Sequence, residues 1–450
     1  MFKRRDKEFV QMRDVKLFPA ELGPSGWFET SSFKTHRFND PKEILDRYDF
    51  VVVGGGYGGF GAAWRFAELN PDAKIALFEA IRIGQNDSGK NAGFLIDVPH
   101  AFGTDTSTIE EKKWNVQLYA TSINKMRTII KDNNLDVDWN DCGKYLAAHE
   151  TSAFKHLDHE AEDLDKVGKT YTFVEADELA RKLGTRYYKK ALYSPDSVLV
   201  NPADVLRGMS TLLPKNVHVF EETPVLHIED GASPTVTLVN GRKIRCKAVV
   251  VTAGPWLEEF SLSKNEFCPV ISFAGMSREL SEQELADFKG IEPWGNTAAH
   301  PSGTTVRFTR TNRIIVRNGF LYPTWFTCSP ERIRRSRRLL RKAFNNRFPK
   351  LTHVNFEYVW AGLIHLTMNS KPVFGRKGNI HYSGVGEGAG VAKTFTMGMC
   401  HAEWANGMNS DVLEFLKNDK KPTWLPPEPF RTVGAECRFV WEHLTAKGEI

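Results

Sequence analysis

The stretch that most constrains the fold is "YDFVVVGGGYGGFGAAWRFAEL", residues 48–69. An apolar run of strand length enters a glycine cluster, then leaves it with Phe60, Ala63, Trp64 and Ala67 at helical spacing. The cluster reads Gly54-x-Gly56-x-x-Gly59, with Tyr57 and Gly58 inside it. In a strand–turn–helix unit Gly54 permits the tight turn, Gly56 lets a pyrophosphate approach the backbone, and Gly59 lets the helix lie close to the strand. The helix N-terminus then offers free N–H groups and a partial positive charge to phosphates. A second buried strand, "AKIALFEA" (73–80), carries Glu79 near its end. An acid there accepts hydrogen bonds from ribose hydroxyls and repels a 2′-phosphate, which disfavours NADP. The expectation is a dinucleotide cradle.

That fingerprint serves NAD and FAD alike, and three later segments favour the flavin. "AIRIGQNDSGKNAGF" (80–94) is a polar, glycine-rich loop suited to a chain bent around an isoalloxazine ring. "AVVVTAGPW" (248–256) is a strand ending in the small residues Ala253 and Gly254. "IHYSGVGEGAGVAKTFTMG" (380–398) is a glycine loop feeding a helix at Val391, whose N-terminus would stabilise the negative charge of a reduced flavin.

The order of patterns sets the architecture. The βαβ unit comes first, mostly polar helical patterns fill 108–192, and "NPADVLRGMSTLL" reads as a helix capped by Asn201 with Pro202 in its first turn. Asn240-Gly241 signals a two-residue hairpin. "PVISFAGMS", "TTVRFTR" and "NRIIVRNG" alternate like antiparallel strands with one wet face, and α/β material returns near the C-terminus. At 450 residues the chain is expected to make two domains, or one with a large insertion. The fold class is α/β: a discontinuous Rossmann-like FAD-binding domain and a substrate domain built on a mixed or antiparallel sheet.

At these segments the chain resembles the D-amino-acid-oxidase-type family of FAD oxidoreductases, most of all its γ-glutamylputrescine oxidase branch. The resembling residues run from 48 to about 410 and include "VVVGGGYGG", "EAIRIGQNDSGKNAGF", "VNPADVLRG", "TPVLHI", "VVTAG", "VRFTRTNRIIV", "YVWAGLIHLTMNSKPVFGR" and "GAGVAKT", in that order. The resemblance implies an FAD domain over 45–105, 198–258 and 360–410, and a substrate domain over 106–197 and 259–359. A lead-in segment (1–44) and a C-terminal extension (411–450) lie outside them. It implies that Val225 offers backbone contacts to the adenine, that Ser88, Lys90, Asn91 and Gly93 line the flavin, and that Gly388, Gly390 and Val391 approach its pyrimidine edge. Tyr57, Gly58, Ala80, Ala92, Ala253, Gly254 and Ala389 fall beside the cofactor on the same grounds. It also implies hydride transfer from the carbon next to a substrate amine to flavin N5, followed by hydrolysis of the imine. Oxygen or another acceptor would then reoxidise the flavin.

The departures from the family pattern matter. Ala389 holds the place of a usual histidine, and "SGKN" replaces "SGRN", so Lys90 is a point charge where a planar fork is usual. Arg317 stands where relatives tend to carry Gly, and His365 where this branch is aliphatic. Trp360 and Ala361 occupy the region where some members tether flavin through a cysteine, so FAD is expected to be non-covalent.

Each candidate also has a plainer reading. Lys90 is either a group beside the flavin or a structural lysine of the loop, and His365 either a pocket base or a hydrogen-bonded core histidine. Trp360 is an aromatic wall or a core residue. Arg307 and Arg317 either clamp a substrate carboxylate or form structural salt bridges. The basic stretch "RIRRSRRLLRK" (332–342) either grips RNA or is an amphipathic helix burying Ile333, Leu339 and Leu340 under a solvated face. Flavin-dependent RNA modification, a partner-bound flavoprotein and a non-catalytic flavin protein are therefore the alternatives to an amine or amino-acid oxidoreductase.

Composition adds bounds. A net charge of +5 is small for this length, and six scattered cysteines without a CxxC favour free thiols in a reducing compartment. His381 and His401 lack ligand partners at metal spacing, so no metal site is expected. The basic N-terminus has no apolar core of a secretory signal, and no run approaches the roughly 18 apolar residues of a membrane span. A cytoplasmic protein is the expectation.

Overall fold

Four consecutive apolar residues, Phe50–Val53, form a strand buried on both faces, as a continuous Val run requires. In the computed structural model, which describes residues 14–99, 107–323, 325–388 and 390–450, this strand is central to a six-stranded sheet. The sheet order is Val373–Lys377, Ile380–Gly384, Ala248–Val251, Phe50–Val53, Ile75–Phe78 and Val217–Phe220. All its pairings are parallel except that of Val373–Lys377 with Ile380–Gly384. Val53 is in register with both Phe78 and Val251, so three strands end at one edge. Ligands of open parallel sheets bind at that carboxyl edge.

Helix Tyr57–Leu69 leaves the same edge and packs against helix Gly390–Ala405. Glycine makes the approach possible: a Cβ on Gly398 would lie 1.9 Å from the Gly58 carbonyl oxygen, and one on Gly61 would lie 2.3 Å from that of Phe395. The C-terminal glycine loop is thereby held against the first one.

The second sheet has eight strands, in the order Phe356–Leu366, Cys268–Ser277, Ile314–Leu321, Thr305–Phe308, Trp294–Ala298, Lys144–Ala148, Lys190–Ser194 and Thr172–Glu175. It is antiparallel except where Trp294–Ala298 pairs with Lys144–Ala148, so the sheet is mixed. Three of its strands come from 108–192, where the polar pattern predicts helices. Helices Ile109–Asp132, Phe154–Val167 and Ala176–Leu183 are present, but Lys144–Ala148, Thr172–Glu175 and Lys190–Ser194 are too short to register as period-two runs. Strand Phe356–Leu366 pairs along its length with Cys268–Ser277, straight across the boundary expected between 359 and 360.

Other local expectations are met by the chain. Asn201 caps helix Pro202–Ser210, its side chain accepting from the Ala203 and Asp204 amides, and Gly241 turns between Thr235–Leu238 and Lys243–Arg245 with φ +85°. Helix Pro330–Arg347 buries Ile333, Leu340 and Phe344, with Leu339 half-buried, while Arg332, Arg334, Arg335, Arg338 and Lys342 face solvent. Among the described residues no helix is long and apolar enough to cross a membrane.

Candidate active site

The carboxyl edge of the six-stranded sheet opens into a cleft floored by Gly54, Gly55, Gly56 and Gly58. Gly54 adopts φ +103°, which a side chain would strain, and a Cβ on Gly59 would lie 1.8 Å from the Gly54 carbonyl oxygen. Gly56 is the N-cap of helix Tyr57–Leu69 and brings no capping side chain, so the first helical N–H groups have no side-chain acceptor. Glu79 is buried on the facing strand end; its Oε2 accepts from the Gly55 amide at 2.7 Å and its Oε1 from the Ile81 amide at 3.0 Å. Burial raises its carboxyl above the usual range while those amides pull it back. Ala80, Ser88, Val225, Ala253 and Gly254 complete the walls. Uncapped amides, a close-approach floor and a buried acid suit the pyrophosphate and ribose of FAD.

The polar loop after Glu79 is ordered by its own hydrogen bonds. Asp87–Lys90 is a helical turn, Asn91 Nδ2 donates to the Ser88 carbonyl at 2.7 Å, and Asn91 Oδ1 accepts from the Gly93 amide at 2.8 Å. The lead-in segment buttresses it: Trp27 and Phe28 are both buried, and the Trp27 indole donates to the Asn91 carbonyl at 2.9 Å. Beyond the loop lies a cavity of about 450 Å³, lined by Lys90, Asn91 and Ala92 on one side and Thr305, Arg317 and Ile364 from the eight-stranded sheet on another. Gly388 and Val391 reach the same cavity from the C-terminal glycine loop. Ala389 lies outside the described residues.

Two cations face that cavity incompletely paired. Lys90 is 5% exposed, and its Nζ has no hydrogen-bond partner among the described residues. Burial pushes its ammonium down to about 8. Arg317 donates from Nη2 to Thr305 Oγ1 at 2.7 Å, leaving Nη1 buried and without a partner among the described residues. Burial lowers its guanidinium to about 10, so it stays charged at neutral pH. An unpaired buried donor costs roughly 1–3 kcal/mol, more when charged, and such a cost persists where a ligand relieves it.

The other sequence candidates fall elsewhere. Arg307 is fully enclosed, and its Nη1 donates to the carbonyls of Gly93 at 2.6 Å and Val200 at 3.0 Å. It pins the loop to the sheet, and no donor on Nη1 is left for a carboxylate. Gly93 is the glycine this contact demands, since a Cβ there would lie 2.4 Å from Arg307 Nη1. Trp360 is a core residue, not a cavity wall; it is buried with Trp27 and Phe28, and its indole donates to the Lys90 carbonyl at 3.1 Å. His365 lies in the cleft against Gly254, edge-on to Phe267, and away from the cavity of Lys90 and Arg317. Burial lowers it to about 4, so it is neutral and a poor base at neutral pH. Tyr57 is buried with its hydroxyl donating to the Pro202 carbonyl at 2.9 Å, a scaffold role. Gly390 starts its helix where a Cβ would lie 2.4 Å from Val385.

Sequence reasoning missed two acids. Glu387, in the glycine loop, accepts from Tyr119 Oη at 2.6 Å and pairs with Lys393 at 2.9 Å, and Lys393 also donates to Asn115 at 2.7 Å. This network ties the loop to helix Ile109–Asp132. Asp87 accepts from the Leu363 amide at 3.3 Å, and burial raises it to about 7. An acid inside "GVGEGAG" was the one available signal for the first; nothing in the local pattern marked the second.

Comparison with known proteins agrees with this geometry. A probable oxidoreductase, OrdL, of Haemophilus influenzae is 24% identical over 402 residues, covering 85% of this chain and 88% of its own. OrdL of Rhizobium meliloti is 22% identical over 405 residues, covering 88% and 91%. Among solved structures, glycine oxidase from Geobacillus kaustophilus superposes with a TM-score of 0.69 at 17% identity, over 84% of this chain and all of that one. L-Amino acid deaminase from Proteus myxofaciens does so with a TM-score of 0.68 at 15% identity, over 91% and 99%. The family model for FAD dependent oxidoreductases, DAO, matches residues 49–404, from the cradle strand through the glycine-loop helix. The chain belongs to the DAO family of FAD dependent oxidoreductases.

Proposed function

We propose that this oxidoreductase acts on the C–N bond of a small amine or amino acid that carries a carboxylate, with FAD held non-covalently. The observation that carries the reading is the pair of incompletely satisfied cations, Lys90 and Arg317, whose buried nitrogens Nζ and Nη1 lie on one cavity beside the flavin loop. Arg317 Nη1 would donate to the carboxylate as a charge-assisted partner, and Thr305 holds the guanidinium in place. Lys90 Nζ adds a second positive charge below about pH 8. Phe94, Ile96 and Leu363 give the cavity apolar walls that exclude water and strengthen those charges. Bound FAD supplies a two-electron acceptor for the hydrogen on the carbon next to the amine nitrogen. Water then hydrolyses the imine product.

The structural neighbours, a glycine oxidase and an L-amino acid deaminase, support an amino-acid-like substrate, and the sequence motifs favour the γ-glutamylputrescine oxidase branch within the family. The division into an FAD lobe and a substrate lobe follows the two large sheets on this reading, with Phe356–Leu366 assigned to the second. The test is anaerobic absorbance spectroscopy of the purified flavoprotein with a panel of amines and amino acids. Bleaching by carboxylate-bearing amines is expected. Bleaching only by amines without an anionic group would refute the carboxylate reading. Readmitting air separates oxidase from dehydrogenase, and flavin released by acid precipitation would establish the non-covalent link.

A further inference from the structure

The C-terminal helix Phe430–Ala446 leaves much of its apolar surface outside. Its inner face buries Ala446 and packs Phe439 on Phe320, but it also carries polar groups: Arg431 donates to the Phe267 carbonyl at 3.1 Å, Glu436 accepts from the Tyr322 amide at 3.4 Å, and Glu442 is buried. Glu449, just past the helix, accepts from the His149 and Glu150 amides, both at 2.7 Å. The outer face is apolar. Phe430, Val433, Val440, Trp441 and Leu444 are 68, 60, 57, 55 and 71% exposed, and Cys437 is exposed between them. A surface helix normally turns such residues inward.

The exposed residues are not scattered. Positions 430, 433, 437, 440 and 444 alternate steps of three and four, the spacing of a coiled-coil seam, and a seam of that kind is covered by another helix. We propose that the covering helix is the same segment of a second copy, antiparallel about a two-fold axis at Cys437. Phe430 and Leu444 stand equally far from Cys437, so the axis sets each against the other across the interface. Val433 meets the partner's Trp441 by the same symmetry, and the two Cys437 side chains meet on the axis.

Three observations favour self-pairing. Residues 431–450 carry three acids and three bases, so two copies do not repel there, unlike at the arginine face of Pro330–Arg347. The exposed apolar surface comes to about 600 Å² per copy, with each aromatic side chain offering roughly 150–250 Å² when fully exposed. Two copies then bury about 1,200 Å², the lower bound of specific interfaces. Gly434, whose Cβ would meet nothing within 4 Å, leaves room for a close helix approach.

The experiment is sedimentation velocity on the full-length flavoprotein at micromolar concentration, paired with diamide oxidation, in which diamide takes up the two thiol hydrogens. A dimer is expected, with a disulfide-linked dimer on a non-reducing gel that Cys437→Ser abolishes. Val440→Glu with Leu444→Glu should convert the dimer to monomer without changing the flavin spectrum or the melting curve. A monomeric wild-type protein would overturn the proposal, as would a dimer that survives both glutamates. A dimer with no Cys437 cross-link would overturn the antiparallel register. A monomer that co-sediments with phosphatidylglycerol vesicles would assign the stripe to lipid instead.

Discussion

The cleft beneath the glycine cradle and the cavity beyond the flavin loop share a wall, yet they are built in opposite ways. The cleft is shaped by backbone: three strand ends in register, glycines that admit close approach, and one acid held by two amides. The cavity is shaped by side chains that the chain brings from segments far apart, with Lys90 and Arg317 more than two hundred residues distant from one another. Backbone geometry tolerates almost no substitution and serves a cofactor common to a whole family. Side-chain geometry can be altered one residue at a time. On the proposed reading, the difference separates what binds the cofactor from what selects the substrate.

The sharpest way to break that division is Gly59→Ala. Its Cβ would meet the Gly54 carbonyl at 1.8 Å, so the turn itself must open, and complete loss of flavin absorbance in the purified protein is expected. Retention of flavin would mean the cradle does not set cofactor affinity. Next, Glu387→Ala strands Lys393 as a buried charge behind the glycine loop and should cost about 3–5 kcal/mol in a denaturant melt. Arg317→Met should then lower kcat/KM for a carboxylate-bearing amine by roughly 30- to 1,000-fold, equivalent to about 2–4 kcal/mol, while flavin content stays the same. Equal losses for a neutral amine would show that Arg317 serves the scaffold.

Lys90 offers a smaller effect with a defined sign. Its burial lowers the ammonium to about 8 from 10.5, so its charge is present below pH 8 and lost as pH rises through that value. KM for an anionic substrate should rise above about pH 8, and Lys90→Met should abolish that limb of the profile. The unfolded chain keeps this proton up to about 10.5, so Lys90 makes stability increase with pH between those values. Smallest is Trp360→Phe, which removes one buried hydrogen bond to the Lys90 carbonyl and should cost about 1 kcal/mol in thermal or chemical unfolding. A loss of turnover at constant stability would instead restore Trp360 as a cavity residue.

The chain by itself determined the elements whose signals are local. Val51 to Val53 entering Gly54-x-Gly56-x-x-Gly59 specifies strand, turn and helix through nearest-neighbour sterics, and Asn201-Pro202 specifies a helix start in the same way. Family resemblance then extended that local reading over residues 48 to about 410, and the family model matches 49–404. Tertiary structure alone decided which polar residues retain a free hydrogen-bonding group. Arg307 and Arg317 both lie in strands of one sheet and read alike in sequence, but the fold spends Arg307 Nη1 on two carbonyls away from the cavity and leaves Arg317 Nη1 unused beside it. His365 and Trp360 were likewise sorted by which side of the flavin loop their strand places them on. The physical reason is range: backbone preference acts over a few residues, whereas burial and hydrogen-bond satisfaction are fixed by groups hundreds of residues away.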